Sequence, residues 1–166
     1  MANKRIKRMC VIPDAQVKAG VDLSHLEAAG NLIMAKRPEV IVCLGDFADW
    51  ESLSSYDKGK KAAEGKRIMK DMDSIYNGLQ TLLRPLREHD IANGKTDKYR
   101  PRLVMTLGNH EDRVLRAENE SPELEGLLPD MEQMYKEFGW ETYPFLEPVT
   151  IGGVSWFRWG QVLKRF

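Results

Sequence analysis

Three apolar segments of the sequence each end in a cluster of side chains that carry metal-binding or proton-transferring atoms. The side chains that follow the three segments are Asp14 and Gln16, then Asp46 and Asp49, then Asn109, His110 and Glu111. Short runs rich in Val, Leu, Ile and Met that stop at Gly or Pro predict buried strands. In open α/β sheets, ligands bind beyond the carboxyl ends of such strands. The three clusters therefore predict one site at one edge of a sheet.

Oxygen ligands in this arrangement suit divalent cations. Oxygens of Asp14, Asp46 and Asn109 would converge at the sheet edge, where they favour Mn, Mg, Fe or Zn ions. A carboxylate shared by two ions about 3.5–4 Å apart would clamp the attacking and leaving oxygens of a phosphoryl displacement. Each cluster alone is weak evidence, because Gly45-Asp46 and Pro13-Asp14 are common turns and an Asn after Gly is typical of a helix N-cap. The conjunction of the three clusters is what predicts a metal site.

The elements that position these clusters follow from the apolar periodicity. Residues 5–12, 39–44 and 102–107 predict three strands. A helical pattern between the first two strands implies a parallel pair with a right-handed crossover. Ser24 and Glu27 have the spacing of a capping box at the start of that helix.

The longest helix is predicted by an apolar stripe with spacings of four and three residues, a pattern typical of core packing. The stripe consists of Ile68, Met72, Ile75, Leu79, Leu82 and Leu86. Further along, residues 121–138 predict helix with a break at Pro129, and Gly152-Gly153 predicts a hairpin turn. The Lys-rich segment 58–67 has two interpretations, contact with substrate phosphates or an ordinary solvated surface.

Composition narrows the class of protein. The 166 residues suit one domain, 1–166, and 42% hydrophobic with 30% charged residues is ordinary for a globular protein. The formal net charge of zero provides no overall field for nucleic acid or an anionic membrane. No apolar run is long enough to span a bilayer, and no secretory apolar region follows the basic start. Cys10 and Cys43 fall in predicted buried strands, so we expect inert, reduced thiols and a cytoplasmic protein.

The three clusters resemble the motifs of the calcineurin-like metallophosphoesterase superfamily. The family signature is Asp-x-His, Gly-Asp-x-x-Asp and Gly-Asn-His-Glu/Asp, each after a strand and in this order. The corresponding residues here are Asp14-x-Gln16, Gly45-Asp46-x-x-Asp49 and Gly108-Asn109-His110-Glu111. The segment 52–60 also resembles phage and prophage members. The resemblance covers about residues 6–155.

The resemblance implies a fold and a reaction. The fold would be α/β, a metallophosphoesterase-like β-sandwich flanked by helices, of which this chain has the amino-terminal portion. The reaction would be hydrolysis of a phosphomonoester or phosphodiester by water activated between two metal ions. Manganese is the expected metal, with Mg, Fe or Zn as alternatives. The expected substrate is a phosphodiester in nucleic acid or a nucleotide, and a phage-encoded chain would act in the host cytoplasm.

The resemblance also implies roles for individual residues. The implied metal ligands are Asp14 and Gln16 for the first ion, Asp46 bridging both ions, and Asn109 for the second ion. His110 would lie beside the scissile phosphate, where it stabilises charge or protonates the leaving oxygen. Asp49 would fix the tautomer of that imidazole. Glu111 has two equal interpretations, support of the same loop or a favourable charge at the start of the following helix.

Two departures from the family motifs weaken the expected site. Gln16 stands where most members have His, and an amide oxygen is a poorer ligand for transition metals than imidazole. No histidine follows His110 in the sequence, so the family's later histidine ligands are missing from this chain. We therefore expect a chain shortened at its C-terminus, with a second chain as a candidate source of the missing ligands. The alternative is a catalytically impaired homologue that acts as a binding module or as one half of a split enzyme.

Overall fold

The structure, a computed structural model, describes residues 6, 8–57, 59–93 and 96–156, and its main sheet has four parallel strands. In sheet order, which is also chain order, the strands are β1 (Met9–Ile12), β2 (Val40–Cys43), β3 (Arg102–Thr106) and β4 (Glu141–Tyr143). The connecting helices are α1 (Ser24–Lys36), α2 (Ile68–Asn93), α3 (Asp112–Glu120) and α4 (Met131–Glu137). Short 3-10 turns span Glu51–Leu53, Lys61–Ala63 and Pro122–Leu124. The predicted α/β class and the three predicted strands are confirmed.

Alternating residues of the central strands lie on opposite faces of the sheet. Ile41 and Met105 belong to the large core beneath the helices, whereas Val42 and Val104 belong to a second, smaller core. All four residues of β2 are buried, as expected for a strand that has a neighbour on each side and a covered surface on each face. The ends of β2 and β3 are therefore held firmly by packing.

A two-stranded antiparallel hairpin lies on the second face of the sheet. Its strands are β5 (Val149–Ile151) and β6 (Val154–Trp156), and Val149 and Ile151 are buried in the smaller core. Gly152 and Gly153 both have positive φ angles. The hairpin turn predicted at these two glycines is confirmed.

The predicted apolar stripe of α2 packs against α1 and the sheet, and its last four members, from Ile75 to Leu86, are buried. Where the two helices cross, a Cβ atom on Gly30 of α1 would lie 2.4 Å from the carbonyl oxygen of Leu82 and 3.2 Å from the ring of Pro85. Glycine thus permits a close approach of the two backbones. No helix within the described ranges is both long and apolar enough to cross a membrane.

The start of α1 shows that the predicted capping box is wrong. Ser24 is the first helical residue, and Leu23 holds the cap position without a side-chain hydrogen bond. Asp22 instead accepts hydrogen bonds from the backbone N–H of Ser24 at 3.0 Å and from its hydroxyl at 2.6 Å. A carboxylate is a stronger acceptor than a hydroxyl, so the serine donates to Asp22 instead of accepting from the helix.

Candidate active site

The loops that follow β1 and β2 are joined by backbone hydrogen bonds at the carboxyl ends of the strands. The N–H of Gln16 donates to the carbonyl of Asp46 at 2.9 Å, and that of Val17 donates to Phe47 at 2.7 Å. In return, the N–H of Asp49 donates to Val17 at 2.9 Å. Two of the three predicted clusters are therefore adjacent in the fold.

The loop after β3 reaches the same point through a contact between two glycines. A Cβ atom on Gly45 would lie 2.8 Å from the Cα atom of Gly108, and one on Gly108 would lie 2.1 Å from Oδ1 of Asp46. Only glycine fits at these positions. The close approach lets the N–H of His110 donate to Oδ1 of Asp46 at 3.0 Å, which brings the third cluster against the second.

Three of the four predicted metal ligands have left-handed backbone conformations. The φ angles are 25° at Asp14, 46° at Gln16 and 48° at Asp46. Residues other than glycine rarely adopt this region, and such strain concentrates at functional sites where the surrounding structure enforces it. The fourth ligand, Asn109, lies in the turn before α3, where its carbonyl accepts a hydrogen bond from Arg116 at 2.8 Å.

Glu111 is fully buried and joins the loops after β2 and β3. Its Oε2 accepts hydrogen bonds from the N–H groups of Asp46 at 2.9 Å and Gly108 at 2.8 Å. Its Oε1 accepts from the N–H of Ala48 at 3.0 Å and the hydroxyl of Tyr135 at 3.1 Å. Burial raises the pKa of Glu111, although the amide donors act in the opposite direction. Since α3 begins at the very next residue, the carboxylate points back into the loops.

Asp49 lies among three nitrogen-bearing side chains. Nδ1 of His110 is 2.9 Å from its Oδ1, Nζ of Lys18 is 3.0 Å from its Oδ2, and Arg113 is 3.2 Å from its Oδ1. The histidine contact has the distance of a hydrogen bond without its full alignment. His110, followed by Lys18, holds the pKa of Asp49 well below its usual range. Asp49 is therefore a stable anion behind the imidazole.

Arg113, Lys18 and Tyr135 contact the predicted site residues but were not predicted from the sequence. Arg113 had a usable signal, because it follows His110 by three residues and the first turn of a helix brings such residues together. Lys18 and Tyr135 had none. They come from segments far along the chain, and only the tertiary fold brings them to Asp49 and Glu111.

The segment after the second cluster is attached to α2 and to itself. Asp71 of α2 is buried and accepts hydrogen bonds from the N–H of Ser52 at 2.9 Å and its hydroxyl at 2.6 Å. In the Lys-rich segment, Lys66 pairs with Asp57 at 2.8 Å, while Lys58 lies outside the described residues. Lys66 thus makes an ion pair within the chain.

The donor atoms at the strand ends fit a hard divalent cation in their chemistry. The thiol of Cys43 lies at the end of β2. Its pKa is raised first by burial and then by the negative charges of Glu111 and of the two aspartates, Asp14 and Asp46. The two carboxylates therefore lie at the same strand ends, and oxygen donors of this kind suit Mn or Mg ions. Across the part of the chain that the structure describes, no three His, Cys, Asp or Glu side chains form a group that could hold a metal.

The predicted ligand set has only two acidic residues, Asp14 and Asp46, because the other two ligands, Gln16 and Asn109, are amides. No protein-family model, curated protein or solved structure matches the chain. The local geometry and the sequence motifs are accordingly the basis for a functional proposal.

Proposed function

We propose that the chain is a metal-dependent phosphoesterase, a phage-type member of the calcineurin-like metallophosphoesterase superfamily. The observation that carries the proposal is the combination of motif order and backbone geometry. Asp14, Gln16 and Asp46 follow adjacent parallel strands with strained left-handed backbones, and His110 is hydrogen-bonded to Asp46. Strain at three polar residues of one sheet edge is typical of a functional site.

Oxygen atoms of this chain would hold the metal ions. Asp14 and Gln16 would hold the first ion, Asp46 would bridge, and Asn109 would hold the second. Bound divalent ions would supply Lewis acidity and a water of lowered pKa, with Mn²⁺ expected first. The hairpin on the second face of the sheet supports the finer proposal of a β-sandwich fold.

The side chains around the ligands have separable tasks in the proposed reaction. Asp49, as a stable anion, orients the imidazole of His110 and favours its positive form when charge develops. His110 faces the phosphoryl group and stabilises or protonates the leaving oxygen. Glu111 keeps the amides of the two ligand loops in place, so the ligands are positioned before substrate arrives. A phosphodiester of a nucleotide or nucleic acid is the proposed substrate class.

The test is hydrolysis of bis(p-nitrophenyl) phosphate with and without Mn²⁺ by the wild type and by Asp46→Asn. We expect hydrolysis that depends on Mn²⁺ and falls at least about 100-fold in Asp46→Asn, because even residues that merely support metal ligands are worth 10–100-fold. Asp73→Asn, at an exposed position of α2, is the matched control and should retain full activity. Circular dichroism establishes that each variant is folded.

A second readout does not need turnover. Mn²⁺ should raise the Tm of the wild type and of Asp73→Asn by more than that of Asp46→Asn, since a ligand that binds only the folded state stabilises it. A folded wild type with neither Mn²⁺-dependent hydrolysis nor a Mn²⁺-dependent Tm would refute the proposal and favour the binding-module alternative.

A further inference from the structure

The guanidinium group of Arg113 is held in one position by the residues of the second cluster. It donates hydrogen bonds to the carbonyl of Asp49 at 2.6 Å and the carbonyl of Trp50 at 3.4 Å. Only 14% of the side chain is exposed. Its other terminal nitrogen lies 3.1 Å from Nε2 of His110. An arginine held this firmly presents its remaining N–H groups in a fixed geometry.

The contact with Arg113 favours one tautomer of His110. A guanidinium group has only donors, so Nε2 must be the acceptor and the ring proton is on Nδ1, the side of Asp49. Nε2 is therefore the ring nitrogen available to a substrate. Because the guanidinium lies 3.1 Å from that atom, any phosphoryl oxygen that reaches Nε2 also comes within reach of Arg113.

Arg113 also lines a cavity that opens beside these residues. The cavity has a volume of about 320 Å³ and lies between α3 and the 51–63 segment, at the lower end of the range for ligand sites. Its polar lining consists of Arg113 and Arg116, the serines Ser52, Ser54, Ser55 and Ser121, and the acids Glu51, Asp57 and Glu120.

Two of the three lining acids are already neutralised by lysine. Lys66 lies 2.8 Å from Asp57 and 3.5 Å from Glu51, and Lys18 lies 3.4 Å from Glu51. The two arginines are also paired, Arg113 with Asp49 at 3.2 Å and Arg116 with Asp112 at 3.0 Å. The arginine side of the cavity, next to His110, therefore offers an anion directed N–H donors and not a net positive charge. On the opposite wall, the hydroxyls of Ser54 and Ser55 suit a polar, uncharged group attached to that anion.

We propose that Arg113 is a catalytic residue that binds the phosphoryl oxygens of the substrate together with His110, and that the adjoining cavity takes the group esterified to that phosphate. The inference deepens the proposed function and rests on it. On binding, the terminal nitrogen of Arg113 that contacts His110 exchanges Nε2 for phosphoryl oxygens, while the other terminal nitrogen stays on the carbonyls of Asp49 and Trp50. Nε2, thereby freed from Arg113, takes a proton from solvent water, and the resulting imidazolium beside Asp49 gives that proton to the leaving oxygen.

The first test measures binding without turnover. Inorganic phosphate is titrated into the metal-free wild type while the Nε–H resonance of Arg113 is followed by ¹⁵N–¹H NMR, and the assignment comes from its loss in Arg113→Lys. We expect a saturable shift, and we expect Arg113→Lys and Arg113→Gln to bind phosphate at least about tenfold more weakly, since a hydrogen bond to a charged group is worth about 1.5–3 kcal/mol. Arg84→Gln, which removes a half-exposed arginine paired with Glu27 at 2.6 Å, should bind phosphate like the wild type.

The wild-type resonance is informative even when a variant fails to fold. An Arg113 signal that does not move up to saturating phosphate would overturn the inference, as would equal phosphate affinity in the wild type and a folded Arg113→Gln.

Kinetics with Mn²⁺ separate this inference from the proposed function. Arg113→Lys should lower kcat/KM for a phosphodiester about 100-fold, the scale of one lost donor to a reacting oxygen, and should raise the inhibition constant of phosphate. A residue that only positioned His110 would lower kcat with an unchanged inhibition constant, a result that would overturn the inference and leave the phosphoesterase proposal standing. Arg113-dependent phosphate binding in a wild type that hydrolyses no phosphodiester would overturn the phosphoesterase proposal and leave phosphate binding by Arg113 standing.

Discussion

Replacing Glu111 by Gln should destabilise the fold by an amount that follows from its four hydrogen bonds. The glutamine oxygen can take the place of Oε2 and keep the N–H donors of Asp46 and Gly108. The glutamine NH₂ then takes the place of Oε1, where the hydroxyl of Tyr135 can rotate and accept from it. Only the buried N–H of Ala48 loses its acceptor. One orphaned buried donor costs about 1–3 kcal/mol, which is our expected loss in the free energy of unfolding.

The pH dependence of this loss provides a second, independent check. Burial raises the pKa of Glu111 above its ordinary value of 4.5, so the folded state favours the protonated carboxyl. The stabilisation is fully present below the unfolded pKa and is lost as the pH rises through the folded pKa. Glutamine has no such contribution. The difference in stability between the wild type and Glu111→Gln should therefore be largest near about pH 4 and should shrink toward neutral pH.

Urea denaturation followed by tryptophan fluorescence at both pH values measures these differences, because Trp50 and Trp140 are buried. Glu125→Gln, at an exposed position, is the matched control and should change stability by less than about 0.5 kcal/mol. A Glu111→Gln variant as stable as the wild type at both pH values would show that the loops do not depend on this carboxylate. The reasoning about their geometry would then be wrong.

Two further substitutions test the close approach of the loops and the charge behind the imidazole. Gly108→Ala should prevent the native loop contact and cost more than about 3 kcal/mol, because the new Cβ would lie 2.1 Å from Oδ1 of Asp46. Gly126→Ala, with open space around it, should cost only the backbone strain of about 1–2 kcal/mol. Equal Tm values for the two variants would contradict the close contact between Gly108 and Asp46. The contact with His110 lowers the pKa of Asp49. The stabilisation from this contact is therefore present above the pKa of Asp49 in the unfolded chain, and it is lost as the pH falls through the pKa of Asp49 in the folded state. Acid titration monitored by circular dichroism should accordingly show a smaller loss of stability in Asp49→Asn than in the wild type.

The regular elements could be predicted from the sequence because their signals are local. Apolar runs bounded by Gly or Pro marked the strands, and the stripe of α2 was long enough to remove any ambiguity between helix and strand. The adjacency of Asp46 and His110 was also predictable, since parallel strands bring their carboxyl ends to one edge. The capping box at Ser24 failed for an equally local reason. A stronger acceptor, Asp22, was two residues away, and the motif does not weigh such competition.

The contacts that give the candidate site its shape could not be predicted in this way. Glu111 depends on a hydroxyl from α4, and Asp49 depends on a lysine from the loop after β1, so neither arrangement leaves a trace in sequence spacing. These contacts are also what enforces the left-handed backbone at Asp46, because Glu111 holds its N–H while the chain on either side is fixed by β2 and by the loop after β1. Strain maintained by a buried carboxylate links stability to site geometry. A substitution of Glu111 should therefore alter the proposed ligand positions even where the protein remains folded, whereas Asn119, an exposed residue of α3 outside the cavity, can change without either effect.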